Sequence, residues 1–282
     1  MKKRKKGDSR EVGLKIGWIL GQYFLKLEHL HYGYWTGQLQ EDITNLRFAQ
    51  EEYVKFVVSH IPEGVKTILD VGCGSGRVAH KLISLGYKAD CVSPNDYLIR
   101  QADELIGGES EIFKCKYEEL ETQKRYDMIM FLESFQYISM EEALVKTSRF
   151  LNDEGYLFIC DIFRKDIDQE HRQKGGHELK KFFALMEEYP FEKLEDIDIT
   201  EQTAPNIRLL DEAMSQVAQP VIDSIGEFLA QRYPRSFKLV SWKYRKELEK
   251  NYNKYFGGGR TADDFIKFKT YRLLIYKKRA VE

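Results

Sequence analysis

Apolar positions along the chain fall into two regimes. Between residues 67 and 163, short apolar runs alternate with amphipathic stretches. "TILDV" (67–71), "KADCVS" (88–93), "SEIFKC" (110–115), "YDMIMFL" (126–132) and "GYLFICDIF" (155–163) read as strands, with helices around 78–85, 98–106 and 141–150. Regular β-α alternation with short apolar strands predicts an α/β fold with a doubly wound, mostly parallel sheet. Ligands on such sheets bind at the carboxyl ends of the strands.

The flanks follow a different pattern. "EVGLKIGWILGQYFLKLEHL" (11–30) reads as a largely apolar helix, and residues 11–60 form an N-terminal helical cover. The stretch 164–254 is highly charged, interrupted by Gly175 and Gly176, and mostly helical with a break at Pro220. Within it "FEKLEDIDIT" (191–200) alternates like a strand. "FIKFKTYRLLIYKK" (265–278) returns to the sheet as its last strand. Residues 61–282 are therefore expected to form one domain, with 164–254 as a helical insertion above the sheet that serves as a lid.

Composition narrows the function. In 282 residues, 44 Lys and Arg nearly balance 45 Asp and Glu, so no global field favours a polyanion, and nucleic acid is not expected as a partner. The exception is "MKKRKK", the start of a basic tail (1–10) expected to be disordered. Joined to an apolar helix, such a tail can touch an anionic membrane weakly; packing of that helix over a ligand cleft is the favoured reading, because Lys and Arg do not recur along its polar face. Cys73, Cys91, Cys115 and Cys160 form no Cys-x-x-Cys pair, so neither a zinc site nor a disulfide framework is expected. With no run of about 18 uncharged apolar residues, the expected location is the cytoplasm.

The chemistry concentrates in "TILDVGCGSGRVAHKL" (67–82). Gly72, Gly74 and Gly76 allow a sharp turn and a close backbone approach to a ligand, and the following helix points N–H groups at it. A dinucleotide loop would place glycine where Arg77 stands, and no Gly-Lys-Ser/Thr follows for a nucleoside-triphosphate loop. Asp70, at the strand end, would repel a pyrophosphate but accept a hydrogen bond from an ammonium group. The ligand is expected to carry an amino-acid head.

"ILDVGCGSG" resembles the first motif of the class I S-adenosylmethionine-dependent methyltransferases. "CVSPND" (91–96) is similar to the Ser-Pro-Asn-Gln segment of the branch with tocopherol and sterol methyltransferases and cyclopropane synthases, and "HYGYW" (31–35) to a stretch that covers the methionine part of the cofactor there. "KYEEL", "RYDMIMFLESFQYI" and "RFLNDEGYLFICDIF" resemble later motifs in order. The resemblance implies a seven-stranded Rossmann-like sheet, S-adenosylmethionine as methyl donor and S-adenosylhomocysteine as product. It implies cofactor contacts from Tyr23, Tyr32, Asp70, Gly72, Cys73, Gly74, Gly76, Ser93, Asn95, Asp96, Tyr117, Glu118 and Leu132. Asp96 is the candidate for the ribose hydroxyls, ahead of Asp90 inside the strand; Cys91 stands where many relatives have the ribose acid, and Lys116 replaces another family acid.

Methyl transfer is an in-line displacement, so the protein mainly holds the acceptor about 3 Å from the methyl group. A base is needed only if the acceptor loses a proton. Glu133, after the fourth strand, is expected to face the cleft as that base, as a holder of acceptor or cation, or as a structural anchor. His31 is a second candidate, with a structural role the more common for such a residue. Gln136 stands where cyclopropane synthases have a Glu, which argues against cyclopropanation. His171 and His177 lack metal-ligand spacing and are expected on the surface; no metal is expected. The aromatic residues of 182–256 belong to insertion core or acceptor pocket. The expected function is methyl transfer to a small lipophilic or aromatic acceptor. The alternatives are a non-catalytic S-adenosylmethionine-binding partner or sensor, and a macromolecular acceptor.

Overall fold

The computed structural model describes residues 9–166, 175–256 and 261–280. The first eight residues of the basic tail, His171 and the glycines at 257–259 lie outside the described residues.

Among the described residues eight strands form one sheet. Strands β1 (Thr67–Val71), β2 (Lys88–Val92), β3 (Ile112–Phe113), β4 (Tyr126–Leu132) and β5 (Leu151–Arg164) run parallel in the spatial order β3-β2-β1-β4-β5. The short β6 (His177–Glu178) pairs with β5. The sheet then continues through β8 (Lys269–Lys278) to β7 (Phe191–Asp198), with β8 antiparallel to both neighbours. Seven strands thus lie on the main path, as expected, and its order reverses between β1 and β4. There the crossovers leave to opposite sides and open a crevice beyond the strand ends.

Side-chain alternation builds both layers. From β4, Met128 and Met130 enter one core with Val54 and Val57 of α2 (Leu46–Ser59), and with Val78 and Leu82 of α3 (Arg77–Ser84). Ile129 and Phe131 enter the other core with Leu144 of α5 (Met140–Phe150) and Phe182 of α6 (Leu179–Met186). Helix α4 (Asp96–Ile106) adds Ile106 to the first core.

Two sequence expectations need correction. Residues 265–268 are not strand: they end the helix α11 (Ala262–Phe268), whose start is fixed by the Asp264 amide donating to the Thr261 hydroxyl at 3.1 Å. Phe265 is buried in the first core, so its apolar period belongs to a helix packed on the sheet. In "SEIFKC", only Ile112 and Phe113 pair with β2, at the edge of the sheet.

Residues 164–254 divide. β6, α6 and β7 rejoin the sheet layers, and four helices follow: α7 (Thr200–Ala213), α8 (Gln219–Arg232), α9 (Pro234–Lys243) and α10 (Arg245–Phe256). Helix α7 is embedded, with Thr203, Ala204 and Leu209 buried; α8 and α9 bury no side chain.

The N-terminal segment starts with α1 (Ser9–Leu20), continues through a π-helical turn (Gly21–Leu25) and is irregular from Lys26 through "HYGYW", so the helix expected over 11–30 ends at Leu25. Trp18 is buried on α4, donating to Gln101 at 2.8 Å. Gly33 is clamped by Asn206 of α7, whose amide accepts from Gly33 N–H (2.8 Å) and donates to Gly33 C=O (2.7 Å). A side chain at 33 would place its Cβ 2.5 Å from that of Ala49. The segment is thereby held across the crevice between α2 and α7.

Candidate functional site

The crevice at the ends of β1 and β4 holds a cleft of about 290 Å³. Its floor is the corner after β1. Gly72, Gly74 and Gly76 all have positive φ, +83°, +55° and +80°, where a side chain is strained. Two of them serve packing as well: a Cβ at Gly72 would lie 2.4 Å from that of Ser134, and one at Gly76 2.9 Å from Ala102. Gly74 has room on this face: a Cβ there would meet only the Leu30 side chain, at an ordinary 3.5 Å.

Asp70 lines this cleft and is 2% exposed, yet its Oδ2 has no hydrogen-bond partner. Burial pushes its carboxyl up to about 7. A buried carboxylate oxygen without a donor is costly unless a cation or donor arrives from outside.

Glu133 lines the cleft from the end of β4 in the left-handed region, φ 54°. Such backbone is uncommon for a non-glycine residue and costs on the order of 1 kcal/mol or more. Its Oε1 accepts from the Tyr32 amide at 2.6 Å and from the Tyr271 hydroxyl at 2.9 Å. Burial, with the nearby Asp161 carboxylate adding to it, pushes its carboxyl up to about 8; the two donors pull the other way. Tyr53 lies 3.0 Å from the Tyr271 hydroxyl and extends this polar chain into α2.

His31 stacks on Tyr53 with centroids 4.4 Å apart. Its Nδ1 donates to its neighbour's carbonyl, that of Tyr32, at 2.8 Å, which leaves Nε2 as an acceptor; that atom is buried without a partner. Burial, then the neighbouring His29, lower its proton affinity to about 3. His31 is therefore neutral near pH 7 and offers a lone pair rather than a charge.

The methyltransferase-domain family model matches residues 45–197, more than half of the chain. The chain belongs to the methyltransferase family. The ubiquinone biosynthesis O-methyltransferases of two Rickettsia bellii strains are each 27% identical over 152 residues, 48% of this chain and 62% of theirs, so the match spans less than two-thirds of those relatives. Among solved structures, a sarcosine dimethylglycine methyltransferase from Galdieria sulphuraria superposes with a TM-score of 0.66 at 15% identity, covering 96% of this chain and 99% of that one. The geranyl diphosphate C-methyltransferase of Streptomyces coelicolor, solved with S-adenosylhomocysteine, gives 0.64 at 14% identity over 98% and 100%. The cyclase SpnF gives the same TM-score and identity over 98% of both chains. At these identities the likenesses bear on the fold, and the fold alone does not choose the reaction.

The cleft's residues fit S-adenosylmethionine and its product S-adenosylhomocysteine, the latter present in the geranyl diphosphate C-methyltransferase structure. The orphaned Asp70 oxygen suits an ammonium group, and the open face of Gly74 admits a ligand against the backbone.

The cleft thus gathers His31, Asp70, Gly72, Cys73, Gly74, Leu132 and Glu133 of the expected residues. Gly76 starts α3 behind it. Tyr32 contributes its amide, while its ring packs near Phe265 and Tyr271. Ser93 is buried and accepts from the Asn95 amide; Asn95 caps α4 through the amides of Tyr97 and Leu98, and Asp96 is exposed on that helix's first turn. Asp90 is tied to Lys124 and Tyr126, at a separate surface depression.

Four expected site residues stand elsewhere. Tyr117 is a core side chain, 2% exposed, hydrogen-bonded to Thr147 at 3.0 Å and edge-on to Phe131, with Glu118 half-buried beside it in the same short turn. Gln136 is turned onto Asp161, donating through both its amide nitrogens at 2.9 and 3.1 Å. Tyr23, 69% exposed, lies edge-on to Phe24. His177 is half-buried rather than on the surface, its Nε2 within 3.0 Å of two carbonyls, those of Phe135 and Ile138.

Sequence reasoning missed Ser75, Arg77, Leu98 and Tyr137 in the cleft lining, and Tyr271 and Asp161 behind Glu133. Arg77 directly adjoins the first motif and Tyr137 lies inside the motif around the fourth strand, which was a usable signal. Tyr271 reaches Glu133 from 138 residues away, and no local pattern announces that. Among the described residues no group of three or more His, Cys, Asp or Glu is placed to hold a metal, and no helix is long and apolar enough to cross a membrane.

Proposed function

We propose that this methyltransferase acts on a small lipophilic or aromatic acceptor, positioned by the N-terminal segment that α7 clamps over the crevice. The observation that carries the reading is the pairing, in one cleft, of an orphaned carboxylate at Asp70 with a donor-held carboxylate at Glu133. S-adenosylmethionine, when bound, supplies a methyl group already activated on a sulfonium. Asp70 holds the amino-acid head, and the glycine corner sets the depth of the ligand.

Glu133 receives the acceptor's proton. Its raised proton affinity makes the ionised form a stronger base than an ordinary carboxylate, suited to a hydroxyl or phenol acceptor. The Tyr32 amide and Tyr271 hydroxyl both hold Oε1, which orients the second oxygen for that task. His31 accepts a hydrogen bond through Nε2 and helps to place the bound molecules. The lipophilic character of the acceptor is supported by the relatives, one named for ubiquinone biosynthesis and one for geranyl diphosphate.

The test is transfer of label from methyl-labelled S-adenosylmethionine to a panel of prenylated phenols, isoprenyl diphosphates and polar amines. Label is expected in the lipophilic acceptors, with turnover falling about 100-fold in Glu133→Gln when a hydroxyl is methylated. Label confined to polar amines would overturn the reading. Tight cofactor binding with no transfer across the whole panel would favour a non-catalytic binder.

A further inference from the structure

The helices α8 and α9 present an unusual surface. Neither buries a side chain, and large apolar groups stand in solvent along both: Ile225 54%, Phe228 62%, Leu239 64%, Val240 52% and Trp242 75% exposed. Patches of this kind mark contacts with another surface. This patch lies apart from the cofactor cleft and shares no residue with its lining.

Charge selects the partner. From Phe228 to Lys246 there is no Asp or Glu, while six cations occur: Arg232, Arg235, Lys238, Lys243, Arg245 and Lys246. The chain as a whole has a net charge of -1, so this basicity is local. Among the described residues Arg245 is the only one of the six in an ion pair, with Glu249 at 2.8 Å. Two copies meeting through this face would bring like charges together. An anionic bilayer instead matches both features: cations meet acidic headgroups, while Trp and Tyr rings settle at headgroup depth and aliphatic groups reach the acyl boundary. Tyr233 and Tyr244, 54% and 46% exposed, flank α9 at its two ends.

We propose that the α8–α9 arm docks this protein on anionic phospholipid membranes, with Trp242 entering the interface. The docking surface is distinct from the basic N-terminal tail, and it does not depend on which acceptor is methylated.

Tryptophan placement supplies a direct readout. Of the three tryptophans, Trp18 and Trp35 are 3% and 4% exposed, so Trp242 alone reports on solvent. The full chain is mixed with vesicles of phosphatidylcholine alone, or of phosphatidylcholine with phosphatidylglycerol, and followed by co-sedimentation, tryptophan emission and acrylamide quenching. With the anionic vesicles, sedimentation is expected with a blue shift and protection from quenching. Neutral vesicles or high salt should abolish both. The Trp242→Phe variant loses the shift yet still sediments. Lys238→Glu with Lys243→Glu weakens sedimentation at least about tenfold, as expected for two lost surface cations, with an unchanged unfolding midpoint.

Sedimentation without any change at Trp242 would place the contact on the N-terminal tail and overturn the proposal. So would no binding to anionic vesicles, equal binding of the charge-reversed variant, or a concentration-dependent shift without lipid, which would indicate self-association.

Discussion

Tyr271 and Glu133 show how one residue's proton affinity is set from a distant part of the chain. The Tyr271 hydroxyl stabilises the charged carboxylate, opposing the burial that pushes it up to about 8. Tyr271→Phe removes that donor without removing the ring. If Glu133 takes the acceptor's proton, turnover rises with pH through the carboxyl's own titration. In Tyr271→Phe the midpoint of that rise should move upward by about one unit, the effect of one lost hydrogen bond to a charged group. A pH profile of turnover measures this; an unmoved midpoint would mean that another group limits the reaction. Local sequence exposed part of this site. Asp70 and Glu133 were legible because one is the penultimate residue of an apolar strand and the other directly follows one, so both stand at strand ends. The partners of Glu133 were not, because a strand 138 residues later delivers Tyr271.

Among the elements, the N-terminal segment is held by buried Trp18 and Trp35 and by a set of polar contacts. Gly33 gives both of its backbone groups to Asn206, and the amide of Tyr34 donates to Ala49 at 2.8 Å. Asn206→Ala would leave two buried backbone groups unsatisfied. Destabilisation of about 2–4 kcal/mol is expected, counting on the order of 1–2 kcal/mol for each, and denaturant unfolding would show it. A loss below about 0.5 kcal/mol would mean that the segment is held by other means. β1, β2, β4 and β5 were readable because each is largely covered on both faces, so apolar residues dominate its run. The end of the chain misled for a related reason: Phe265 and Phe268 continue the apolar pattern of β8, but a helix on the same core buries Phe265 just as well. Edge position shortened β3 in a way that composition does not encode.

The whole molecule places its ligand cleft where the strand order reverses, closes it from one side with the N-terminal segment, and extends an arm of exposed helices away from α7. The family and the fold were both legible, since the β1 glycine corner and its successors occur in order along the chain. The acceptor was not, because α7–α10 carry no pattern that fixes a ligand. The central claim is that the glycine corner receives S-adenosylmethionine with its ammonium group on Asp70.

Titration calorimetry with S-adenosylhomocysteine, across pH 6 to 8 and with Asp70→Asn beside the wild type, tests it most directly. Before binding, the Asp70 carboxyl sits at about 7. An ammonium partner favours its charged form, so the bound state has a lower value and binding releases a proton. Affinity should therefore fall as pH drops below 7, approaching about tenfold per unit, and heats should vary with the buffer's ionisation enthalpy. Asp70→Asn should bind at least about tenfold more weakly and lose most of that dependence. Wild-type binding that ignores pH and is matched by Asp70→Asn would contradict the claim, as would no binding by the folded protein.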